Sequence, residues 1–134
     1  MKKTNLVSAI WLASIFVLSL SALAKPYTPK PGSSERTAIM NATRKVLGSG
    51  KHKAIITANH LKVENGWAYL TGSFKYADSA TLEPRFREGS GTHFSALLHR
   101  EKGKWVVKRR VYNGDVIEPV FIHDFPNAPK GIFH

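Results

Sequence analysis

The sequence predicts an α+β domain: one N-terminal helix packed on a curved antiparallel sheet of about four strands, then an irregular C-terminal tail. Three observations carry that expectation. One segment repeats apolar residues at the 3.6-residue period of a helix. Beyond Gly50 the period changes to the two-residue alternation of strands, in four successive runs. A lone amphipathic helix can bury its stripe only against one face of such a sheet.

The elements follow in chain order. Lys2 and Lys3 precede an almost wholly apolar stretch over 6–20, which ends in the small-residue triplet Ala22-Leu23-Ala24. That is the three-part pattern of an export signal. Its apolar core is shorter than the roughly 20 residues that span a bilayer, and no cysteine is available to carry a lipid. Residues 1–24 are therefore expected to be a signal peptide cut after Ala24, directing a periplasmic or secreted protein with no stable membrane span. Residues 25–33 hold three prolines and a glycine and read as an extended leader. The single α+β domain is expected over 34–134.

Ser34 stands at the expected N-cap, Glu35 in the first turn, and Ile39, Ala42, Val46 and Leu47 form one stripe. Arg44 and Lys45 suit the last turn and Gly48 the stop, so a helix is expected over 34–47. The run 53–64 splits its apolar residues, with Ile55, Leu61 and Val63 on one parity and Ala54, Ile56 and Ala58 on the other. Asn65-Gly66 then predicts a type I′ hairpin into a strand beginning at Trp67. Residues 78–91 break the pattern as a loop. Strands over about 92–100 and 105–112 follow, joined by Glu101-Lys102-Gly103-Lys104. In the tail, 113–134, three prolines disfavour a central strand. Its apolar residues, Phe121 and Phe133 among them, predict that it folds back over the domain.

The chain has 134 residues, 20 Lys and Arg against 9 Asp and Glu, and no cysteine. This excludes a multidomain enzyme, a disulfide scaffold, a thiol nucleophile, a Cys-based zinc site and a c-type haem attachment. The formal charge of +11 falls by two units when Lys2 and Lys3 leave with the signal.

The runs SERTAIMNATR, GWAYLTG and ALLHREKGKWVV resemble a group of small exported bacterial proteins without an assigned activity. Their pattern is a helix opening Ser-x-Glu-Arg, a Gly-Trp-Ala strand and an aliphatic strand leading to Gly-x-Trp. The segments Gly114-Asp115-Val116 and Asn127-Ala128-Pro129 also fit it. The resemblance covers most of residues 34–130 and implies an exported α+β domain. It carries no catalytic residue to transfer. The expected architecture is similar to cystatin-like or nuclear-transport-factor-like sheets wrapped on a helix.

The densest chemical feature lies in residues 99–110, with six Lys or Arg against one acid. Arg100, Lys102, Lys104, Lys108 and Arg110 read as a basic patch for phosphate or carboxylate groups. A solvated face and turn explains the same residues. Strict alternation places Lys108 and Arg110 together, opposite Trp105, Val107 and Arg109. Arg85 and Arg87 bracket Phe86 in the long loop and could join the patch. In an exported protein the fitting partner is an anionic envelope component or an acidic protein, rather than nucleic acid.

His93 and His99 are six residues apart on one strand, so their backbones stand roughly 20 Å apart, too far for one metal ion. No metal site and no cofactor is called for. Trp67, Tyr69, Phe74, Phe94 and Trp105 read as core and cross-strand pairs. Asp115, His123 and Asp124, with Glu118, form the only local group of mixed acid and base capacity, without a recognisable catalytic motif. The reading favoured by these residues is a non-enzymatic binding or accessory protein. The alternatives are a pocket-type ligand carrier or small hydrolase using Asp115 and His123, and an inhibitor or immunity protein of a periplasmic hydrolase.

Overall fold

The computed structural model describes residues 25–48, 52–78, 93–112 and 118–134, and of Glu118 the backbone alone. Residues 1–24, expected to be the signal, most of the loop over 78–91 and the start of the tail lie outside them. The described chain runs as helix α1 (Ser34–Leu47), strands β1 (Ala54–Glu64), β2 (Trp67–Tyr76), β3 (His93–Glu101) and β4 (Lys104–Tyr112), helix α2 (Glu118–Asp124) and a final 3-10 turn (Lys130–Phe133).

The leader is extended, and Tyr27 exchanges both backbone hydrogen bonds with Val63 at 2.8 and 2.9 Å. It thus adds a short bridge to the outer edge of β1. Pro31 and Gly32 then turn the chain, Gly32 at φ +80° and the Ser33 amide donating to the Lys30 carbonyl, the geometry of a type II turn. This turn delivers Ser33, not Ser34, to the extended dihedrals a cap requires, and its Oγ accepts from the Arg36 amide at 3.2 Å. At the other end Gly48 is extended, not left-handed. A Cβ there would lie 2.9 Å from the His52 carbonyl oxygen, so glycine supplies room rather than a positive φ. The buried stripe is Ile39, Met40, Thr43 and Leu47. Ala42 and Val46 are only partly covered.

The four strands form an antiparallel, open sheet in the order β1-β2-β3-β4. Both described hairpins turn on two residues of positive φ, Asn65-Gly66 (48° and 75°) and Lys102-Gly103 (50° and 76°). These are type I′ dihedrals, whose twist matches that of the flanking strands. A bulge at Asn59 resolves the divided parity of β1. The register shifts between Ala58 and His60, which flips the alternation and places Ala54, Ile56, Leu61 and Val63 on the same buried side. Gly72 pairs with Ala58 beside this bulge.

The sheet is covered on both faces. On one, α1 approaches both edge strands, β1 and β4, over a core that includes Ile39, Leu47, Leu61, Leu70, Phe74 and Leu98. Removing side chains of this size from water stabilises the fold by about 1.5–3 kcal/mol each. On the other, the tail folds back, and Phe121, Ala128, Ile132 and Phe133 pack on Tyr69 and Leu97. The tail is more regular than expected, since Pro119 sits in the first turn of α2, where a missing amide proton is tolerated. His60 Nε2 lies 2.7 Å from the Ile132 carbonyl oxygen and pins the 3-10 turn to β1.

Candidate binding surface

The β3–β4 hairpin brings its basic residues to one end of the sheet but divides them between the faces. The register pairs Leu97 with Arg109 and Leu98 with Val107, leaving Lys108 as an extra residue. Alternation therefore reverses at Lys108. Arg110 pairs with Ala96, and Arg100 with Trp105, so both arginines stand on the α1 face with Trp105 and Val107. Arg109 pairs with Leu97 on the tail face. The expected sharing of one face by Lys108 and Arg110, opposite Trp105 and Val107, is corrected by this bulge.

Several cations are already engaged. Lys108 Nζ donates to Glu101 Oε1 at 2.8 Å. That bond, followed by the one with His99, holds the Glu101 carboxyl below its usual value. Arg109 Nη1 donates to Asp124 Oδ2 and ties the hairpin to α2. Arg110 Nε donates to the Tyr112 hydroxyl at 2.9 Å, with its guanidinium 5.8 Å from that ring's centre. Lys102 and Lys104, at the turn, are exposed, and neither forms an ion pair among the described residues.

Arg100 is exposed on the α1 face. With Gly103 and Trp105 it walls an open hollow of about 300 Å³ whose other side is Ser34, Glu35 and Ala38 of α1. Glu35 is held in place by the Tyr27 hydroxyl, which donates to its Oε1 at 2.6 Å. Partial burial, and then Glu35, push the Tyr27 phenol up to about 12. The sequence offers no sign of this hollow, because its two walls are more than sixty residues apart.

Of the alternative pocket, Asp115 lies outside the described residues, as do Arg85 and Arg87. His123 and Asp124 fall in α2, where His123 Nδ1 is 3.0 Å from Asp124 Oδ1 and the imidazole is 89% exposed. Asp124 is engaged by Arg109. Another histidine–carboxylate contact escaped the sequence reading: His52 Nδ1 is 2.5 Å from Asp78 Oδ2, and its ring stacks on Tyr76 at 4.9 Å. Twenty-six residues separate the two partners, so no local spacing announces the pair. Among the described residues, no three His, Asp or Glu side chains gather as metal ligands, and no helix is long and apolar enough to cross a membrane.

No protein-family model matches this chain, and neither a curated protein nor a solved structure is similar enough to report.

Proposed function

We propose that this is an exported, non-enzymatic accessory protein that attaches to an anionic component of the cell envelope through the tip of its β3–β4 hairpin. One observation carries the reading. Lys102, on a tight two-residue turn, and Lys104, the first residue after it, stand exposed without an acidic partner among the described residues, while Lys108 and Arg109 beside them are paired internally. The pairing leaves the outermost charges for a partner. A type I′ turn also limits the conformational freedom lost on binding. The pattern of the first 24 residues and the resemblance to small exported proteins support the setting.

A basic residue near an anionic surface contributes about 1 kcal/mol, and salt screens it within roughly 10 Å. The double change Lys102→Glu and Lys104→Glu should therefore weaken retention on purified envelopes roughly tenfold to a hundredfold. Circular dichroism should be unchanged. Binding by the parent protein should fall as salt rises. Retention that ignores both the double change and the salt would sink this reading. A stoichiometric acidic protein in the same pull-down would replace the envelope component with a protein partner.

A further inference from the structure

We infer that the hollow between the first turn of α1 and the β3–β4 hairpin is a subsite for one acidic sugar residue of a glycan. This inference rests on the proposed attachment to an anionic envelope component and names the chemistry of that component.

Three side chains of different character meet there. Trp105 is half-buried, packing against the helix-face core while also lining the hollow. It offers an apolar plate to the C–H face of a sugar ring, a contact of dispersion and weak hydrogen bonding to the aromatic face. Arg100 faces Trp105 across the strand pair. No carboxylate lies within ion-pair distance of it among the described residues. Its guanidinium presents the planar fork that fits a carboxylate or phosphate. Glu35, fixed by Tyr27, accepts hydrogen bonds only.

The combination selects the ligand. A simple anion would satisfy Arg100 but set its charge against Glu35, with no donor to offer it. A neutral sugar would satisfy Glu35 and Trp105 but offer Arg100 only uncharged acceptors, without the stronger bidentate ion pair. A ring carrying hydroxyl or amide donors together with a carboxylate or phosphate satisfies all three. The hollow is at the small end of ligand pockets and open to solvent. It therefore suits a segment of a chain whose neighbouring units stay in water, rather than an enclosed metabolite.

The full protein should be titrated with three short oligosaccharides of equal length: one containing glucuronate, one of phosphorylated glucosamine, and one neutral. The readouts are calorimetry and the indole N–H resonance of Trp105. At least one acidic sugar should shift that resonance and bind at least tenfold more tightly than the neutral one; which of the two does so identifies the anionic group. Arg100→Ala should reduce this affinity tenfold or more. Trp105→Phe should keep most of it, with circular dichroism reporting the fold. The Lys102→Glu, Lys104→Glu protein should bind the acidic sugar more weakly, because these lysines flank Gly103 of the hollow, but should keep its preference for the acidic over the neutral sugar. Equal binding of neutral and acidic sugars, no shift with any of them, or unchanged affinity in Arg100→Ala would overturn the subsite. If that happens while the lysine changes still release the protein from envelopes, the subsite alone fails. If neither set of changes has an effect, the attachment fails with it.

Discussion

At Gly72 an added methyl group would come within 2.2 Å of the Thr57 carbonyl oxygen and 3.1 Å of the Ala58 Cα. The bulged strand passes too close there for any side chain. Gly72→Ala should destabilise the fold by about 1–3 kcal/mol or more, read as a lower denaturation midpoint; an unchanged midpoint would refute the close approach. The Tyr76 hydroxyl presents the opposite case. It is buried and has no hydrogen-bond partner among the described residues. Tyr76→Phe should therefore leave stability unchanged or raise it by about 1 kcal/mol, and a clear loss would show that the hydroxyl is bonded after all. Tyr27 links its neighbourhood to pH. Its folded-state value of about 12 lies above the ordinary 10.0, so the folded protein holds this proton more tightly than the unfolded chain. The associated stability is whole below pH 10 and is lost as pH rises through 12. Tyr27→Phe should flatten the stability profile across that window, and an unaltered slope would contradict the assignment.

Among the elements, the tail contributes more than an irregular appendage would. Phe121 is fully buried against Tyr69 and Phe133, with ring centres 5.7 and 6.4 Å away. Phe121→Ala should destabilise by about 3–5 kcal/mol and remove hydrogen-exchange protection from α2 and the final turn. Asp124→Asn, by contrast, breaks a partly exposed pair with Arg109 and should change stability by less than about 1 kcal/mol. A large loss from Asp124→Asn, or a small one from Phe121→Ala, would reverse this ranking of packing over charge. The helix was legible in the sequence because its stripe, first-turn acid and last-turn bases all lie within fourteen residues. Its cap was misplaced by one residue, since the choice between Ser33 and Ser34 depends on the turn that Pro31 and Gly32 make. The two type I′ hairpins were legible or nearly so, for the same local reason. The bulges at Asn59 and Lys108 were not. A bulge is a property of two paired strands, and either residue alone looks like an ordinary strand position.

For the molecule as a whole, the arrangement is three layers: α1, the open sheet, and the tail. Sequence periodicity already implied an α+β domain with one helix, a meander and a returning tail. It could do so because apolar alternation, turn residues and prolines act on their immediate neighbours. The concentration of positive charge in residues 99–110 was equally plain, since it is only composition. What this charge faces was decided by tertiary structure. The Lys108 bulge reverses the alternation, turning Arg110 to the α1 face beside Trp105 and Val107 and Arg109 to the tail face. Glu101 and Asp124 then neutralise two of the cations, and the turn leaves Lys102 and Lys104 outward. The hollow of Glu35, Arg100 and Trp105 likewise exists only after α1 docks beside β4. Periodicity and charge act over a few residues and can be read along the chain. Strand register and the meeting of distant walls depend on which segments pair in space, and only the folded structure determines them.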